Sequence, residues 1–161
     1  MDNPTATILV WSLPAAISLH VFEEFGKPGG FVEWVKDFKT RKLRSGFYYF
    51  SVNAAAIAAT ILLAWFFDRH RIAPYMYLYA TGLMAGNAAS HIQATVQTGQ
   101  YCPGAFTGGV LLIPLFVIGL WHFLRASNVD SAAALIWACA GISVGWLLFG
   151  VDVRGGNRVS E

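Results

Sequence analysis

Thr5-Ala6-Thr7-Ile8-Leu9-Val10-Trp11-Ser12-Leu13-Pro14-Ala15-Ala16-Ile17-Ser18-Leu19-His20-Val21-Phe22 runs eighteen residues without an Asp, Glu, Lys or Arg, and then meets Glu23-Glu24. An uncharged run of this length approaches the roughly 20 residues that a helix needs to cross a bilayer. Four more such stretches follow, Gly46 to Phe67, Ile72 to Val96, Ala105 to Leu124 and Ser131 to Val151, and none contains a charged residue. The 161 residues are 56% hydrophobic and 12% charged, against about 25% charge in a soluble domain. The expectation is an all-α integral membrane protein with five transmembrane helices in one bundle. It covers residues 1–152, with spans at about 5–25, 46–67, 72–98, 105–125 and 131–151, and leaves 153–161 as a flexible C-terminal tail. Met1-Asp2-Asn3 lacks the positive region that precedes a cleaved signal, so the first span is expected to stay.

Charge in the connections sets an orientation. Eight basic residues (Lys27, Lys36, Lys39, Arg41, Lys42, Arg44, Arg154 and Arg158) fall on the side reached by the end of the first span. Three, Arg69, Arg71 and Arg125, fall on the N-terminal side. The excess places the former side in the cytoplasm, with the N-terminus outside and the C-terminus inside. A net charge of +2 distributed this way gives no reason to expect nucleic acid. Within 31–44, Phe31, Trp34, Val35 and Phe38 interleave with the basic residues. That pattern predicts an amphipathic helix lying in the interface against anionic headgroups, and an ordinary positive-inside loop explains the same residues.

His20, Glu23 and Glu24 stand at i, i+3 and i+4, within about 100° of one helix face. Ionisable groups in a spanning segment are costly and point to function by default. Other polar residues reach the same depth. In the third span His91 lies about 7 Å short of the cytoplasmic end, with Asn87 one turn deeper, and Asn53 of the second span sits roughly 10 Å in. Tyr101 and Thr107 flank the connection that contains Cys102-Pro103-Gly104. Residues from three spans and one loop therefore converge in one leaflet, and the opposite side offers no comparable set.

The remaining features read as structural. Gly82, Gly86 and Ser90 recur every fourth residue and let another helix approach closely, and Ala54 to Ala59 is a second candidate stripe. Gly26-Lys27-Pro28-Gly29-Gly30 ends the first helix. Trp65, Tyr75, Tyr77 and Tyr79 are expected in an interfacial aromatic belt. His122 is expected to anchor a span end and His70 to lie in a loop. Cys102 and Cys139 are expected to form no structural disulfide.

His20-Val21-Phe22-Glu23-Glu24 resembles the motif that names the HXXEE family of small multi-spanning bacterial membrane proteins. Asn87-x3-His91 and Tyr101-x-Pro103-Gly104-x2-Thr107 are similar to that family's second block. The resemblance extends from the first span through the fourth. It implies membership, a place in the bacterial inner membrane and a set of site candidates, without a reaction.

Imidazoles and carboxylates are ligands for Zn²⁺ or Fe²⁺, and two His with one carboxylate leave coordination positions open. His20, His91 and Glu23 form the expected metal set, with Glu24 as general base or further ligand. Asn87 would orient a ligand or meet an oxyanion, with Asn53, Tyr101 and Thr107 behind them. The function this predicts is a metal-dependent membrane enzyme acting on a lipidic or apolar substrate. Two other classes use the same atoms: a metal-free acid–base isomerase or cyclase of an isoprenoid-like lipid, and a structural or proton/cation-relay protein. Cys102 activated by His91 is a further candidate nucleophile. Expected partners are the lipidic substrate and a bilayer with anionic headgroups; a homo-oligomer is compatible with the sequence, which does not name the oligomeric state.

Overall fold

Backbone groups removed from water must be satisfied within their own segment, and uninterrupted helices do this. The computed structural model describes residues 4–26, 30–38 and 45–150, and every regular element among them is helical. The elements are α1 (Pro4–Phe25), α2 (Phe31–Phe38), α3 (Gly46–Phe66), α4 (Ala73–Thr98), α5 (Ala105–Leu124) and α6 (Ser131–Phe149). A 3₁₀ turn at Phe67–Arg69 extends α3, and α5 carries a π-helical stretch at Gly108–Leu112.

Local chemistry sets several of the ends. Ser45 Oγ accepts from the Tyr48 N–H and starts α3, while Asp130 Oδ1 accepts from the Ala133 N–H and starts α6. Pro74 sits in the first turn of α4, where its missing N–H costs nothing. Gly99, at φ 64°, closes α4 through its N–H to Thr95 O.

Four segments are long and apolar enough to cross a membrane: Pro4–Phe25, Gly46–Arg69, Ala105–Leu124 and Ser131–Phe149. The 26 residues of α4 are also long enough, at about 39 Å, but more polar. Its position explains this. Tyr77, Leu78, Thr81, Ala88, Ser90 and Ala94 are almost completely enclosed, so α4 meets protein rather than surroundings on most of its circumference. Its hydroxyls are absorbed locally, Thr81 donating to Tyr77 O and Ser90 to Asn87 O.

The tightest packing is between α4 and α6. A β-carbon on Gly82 would fall 2.7 Å from Ala138 O, and one on Gly86 2.5 Å from Ile142 O. The partner helix is equally bare, because β-carbons on Gly141 and Gly145 would run into Tyr79 O and Leu83 O. Backbone-to-backbone contact of this kind is how helices associate where burial from water supplies no drive.

Two expectations are corrected. Ala54, Ala55, Ala58 and Ala59 are exposed, so these four alanines of α3 form no buried packing stripe, and Ile57 makes the contact with the core instead. Tyr77 is fully buried between Gly119 and Phe123 rather than in a belt, because it lies on the inward face of the central helix. Trp65, by contrast, is well exposed. Cys102 is buried and Cys139 exposed, and neither forms a disulfide among the described residues. The α1 terminator at Lys27–Gly29, the basic part of the proposed interfacial segment at 39–44, and the tail at 153–161 lie outside the described residues.

Candidate metal centre

Three parts of the chain meet at one end of the bundle: the last two turns of α1, the second half of α4, and the connection into α5. His20 and Glu24 are one turn apart on α1 and so share a face, and His91 reaches them from α4. Glu24 Oε1 is 3.0 Å from His91 Nε2 and 3.5 Å from His20 Nε2. One ligand atom from each of the three residues lies within 4.8 Å of the others, and all three side chains are buried. Ligands at 2.0–2.2 Å around a tetrahedral ion stand about 3.3–3.6 Å apart, so the His20 spacing falls within that range and the His91 spacing a little below it.

The far nitrogens are occupied. His20 Nδ1 lies 2.9 Å from Thr107 Oγ1, and His91 Nδ1 lies 3.3 Å from Cys102 Sγ. The opposite nitrogen of His20, Nε2, faces Glu24. Anchoring one ring nitrogen to aim the other is the usual way a protein orients an imidazole ligand. Asn87 Nδ2 is 3.2 Å from His20 Nε2, while Asn87 Oδ1 is buried with no hydrogen-bond partner among the described residues. Such an orphan costs about 1–3 kcal/mol unless a ligand supplies a donor.

Glu23 has a different task. Its Oε1 accepts from the Gly104 N–H at 2.8 Å, from the Phe106 N–H at 3.3 Å and from the Tyr101 hydroxyl, and its Oε2 accepts from the Thr107 N–H at 2.8 Å. The first turn of α5 exposes orphan N–H groups, and Gly104 has no side chain to cap them. Glu23 supplies that cap from another helix, its charge facing the positive end of α5. Burial, then the bond to Glu23 and its negative charge, push the Tyr101 phenol up to about 12.

The placement of the two carboxylates differs from the expected choice of Glu23 as the ligand. Glu24, expected as base or further ligand, lies with the two His; Glu23, expected as a ligand, lies outside the group with its oxygens already engaged. Asn87 is beside His20 as expected. Asn53 reaches Glu24 Oε2 at 3.5 Å, and Tyr101 and Thr107 act through Glu23.

Two contributors lie outside the expected ligand set, although Gly104 belongs to the Tyr101-x-Pro103-Gly104-x2-Thr107 block. Gly104, at φ 97°, presses directly on the imidazoles: a β-carbon there would stand 2.8 Å from His20 Cε1 and 3.0 Å from His91 Nδ1. The signal available is the absence of a capping side chain before Ala105. Phe31 of α2 lays its ring 5.0 Å from that of His91, and Trp34 and Val35 bury themselves beside Ala94 and Cys102. The centre thus has an apolar roof. The π-helical stretch begins directly after Thr107, where Gly108 packs against Ala88, and such stretches often accompany functional sites.

Comparison with known proteins finds one family model, described as a protein of unknown function with HXXEE motif, matching residues 11–119. No curated protein and no solved structure matches the chain. The matched region holds His20, Glu23, Glu24, Asn87, His91 and the whole connection that Glu23 caps, and on that match the chain belongs to the HXXEE family.

Proposed function

We propose that this chain is a membrane-embedded enzyme in which His20, Glu24 and His91 hold one divalent metal ion, zinc or iron, and act on a lipidic or apolar substrate. The observation that carries the reading is the convergence of three buried ligand atoms whose imidazole rings are each anchored through the opposite nitrogen. Burying these groups without a cation or proton to share would be unfavourable. A metal bound there would supply Lewis acidity toward a carbonyl or phosphoryl oxygen. Asn87 offers its unpaired Oδ1 to a donor on the substrate, and Phe31 provides an apolar wall. Glu23 is too fully engaged to serve as base, so hydrolysis and hydroxylation both stay open.

In this reading α1, α3, α4, α5 and α6 span the bacterial inner membrane, with the N-terminus outside. The amphipathic α2 lies in the cytoplasmic interface, its buried Trp34 and Val35 facing the bundle while Lys36 is exposed. The metal centre then sits near the cytoplasmic leaflet.

A second reading is favoured by one observation. Cys102, His91 and Glu24 form a continuous chain of contacts at 3.3 and 3.0 Å, which shares a proton without any ion and suits acid–base catalysis on an isoprenoid-like lipid. Elemental analysis of detergent-purified protein separates the two. One equivalent of zinc or iron in the wild type, lost in His20→Ala and His91→Ala, supports the metal reading. A well-folded wild type that takes up neither ion on loading overturns it in favour of proton transfer.

A further inference from the structure

At the far end of the bundle from the metal centre lies a cavity of about 570 Å³. Its floor is apolar, made by Ala6 of α1, Phe67 after α3, Phe123 of α5 and Val129 in the α5–α6 connection. Its rim is basic, with Arg69 and Arg71 from the α3–α4 connection and His122 from the end of α5; Asp68 is the acidic residue there. Neither arginine forms an ion pair with a carboxylate among the described residues, and the Arg69 guanidinium rests over the Phe66 ring at 5.4 Å. Sequence alone points to nothing of note on this side, because these residues come from separate connections that only the fold brings together.

The dimensions and chemistry restrict the ligand. A cavity of this volume is in the range that encloses a medium-sized organic molecule, and its floor offers nothing to a small inorganic anion. Two guanidiniums without a carboxylate partner, set over an apolar floor, instead suit an amphiphile with an anionic head. The rim joins the ends of spanning helices, which places it at headgroup depth on the outer side in the orientation above, where a guanidinium pairs with a lipid phosphate by charge-assisted hydrogen bonds. We infer that this cavity is a binding site for an anionic phospholipid. Its phosphate is held by Arg69 and Arg71, and its glycerol and upper acyl carbons lie on Phe67, Phe123 and Val129. The single Asp68 charge leaves a net positive rim for one phosphodiester. This inference rests on the membrane reading above but not on the metal.

The test is native mass spectrometry of the detergent-purified full chain titrated with dioleoyl phosphatidylglycerol, dioleoyl phosphatidylcholine or inorganic phosphate. One phosphatidylglycerol per chain is expected, bound in preference to phosphatidylcholine. The Arg69→Gln/Arg71→Gln variant should bind it about thirtyfold more weakly, from roughly fivefold per basic residue. Lys36→Gln, at the other end of the bundle, should bind it as the wild type does. Equal binding of phosphatidylcholine, or unchanged binding in the double variant, overturns the site. Competition by millimolar inorganic phosphate would make it a free-anion site and overturn the lipid assignment. Release of the chain from membranes by alkaline carbonate would overturn the membrane reading itself, a result distinct from a membrane-retained chain with no lipid preference.

Discussion

His91 Nε2 and Glu24 Oε1 lie 3.0 Å apart although they come from different helices and both side chains are buried. A contact of that length between α1 and α4 is made by a hydrogen shared between the two atoms, or by a metal ion bound to both from one side of the line that joins them. Glu24→Gln keeps the shape and removes the charge. Under the metal reading it should abolish stoichiometric zinc or iron in elemental analysis, as His91→Ala does. Glu24→Asp, with a shorter reach, should also fail to retain metal, whereas a proton-transfer site would keep partial turnover in that variant.

Glu23→Gln should behave differently from its neighbour. It leaves His20, Glu24 and His91 in place, so metal content should persist. It weakens the acceptor of three backbone N–H groups at the start of α5, and a loss of about 1–2 kcal/mol in unfolding free energy is expected. A Glu23→Gln protein with wild-type stability would refute the capping role.

Two glycines with positive φ give an internal comparison. A β-carbon added to Gly99, at φ 64°, would meet nothing within 4 Å, while one added to Gly104, at φ 97°, would meet His20 Cε1 at 2.8 Å. Both alanine variants lose about 1–2 kcal/mol through the left-handed backbone. Only Gly104→Ala should also displace the imidazoles, and so weaken metal binding in a chelator competition.

Tyr101 should show an alkaline transition. Its phenol titrates near 10.0 when unfolded and at about 12 in the folded chain. The folded form therefore holds the proton more tightly. The contribution to stability is complete below pH 10 and is lost as pH rises toward 12. Near-ultraviolet difference absorbance between wild type and Tyr101→Phe isolates this phenolate, and a Tyr101 transition at the ordinary value would contradict its bond to Glu23.

The α4–α6 contact predicts a sharp positional contrast. Gly145→Leu would force a side chain against the Leu83 backbone, and overpacking of this kind costs about 1–3 kcal/mol. Gly46→Leu, at a position with nothing within 4 Å, should leave the denaturation midpoint unchanged.

The helical class was legible because hydropathy reports what each segment touches, and α1, α3, α5 and α6 are apolar on surfaces that face outward. The close approach of Gly82 and Gly86 was legible for a related reason, since spacing by four marks one face. Their partners Gly141 and Gly145 show the same spacing but became meaningful only once α6 was seen to lie on α4. His20 and His91 could be brought together by depth alone. The choice between Glu23 and Glu24 could not, because it depends on which way α1 is turned. The basic cavity escaped because Arg69 and His122 are 53 residues apart in the sequence, and no periodicity relates them.

Neighbouring positions on a helix point about 100° apart, and on α1 those two directions carry a latch on one side and a ligand on the other. Glu23 holds the doorway of α5 while Glu24 faces the imidazoles. Turning α1 about its axis to loosen the first necessarily swings the second. The paired glutamates thus tie the attachment of the α5 connection and the setting of the buried centre to one rotational setting of α1, although each side chain can be replaced separately.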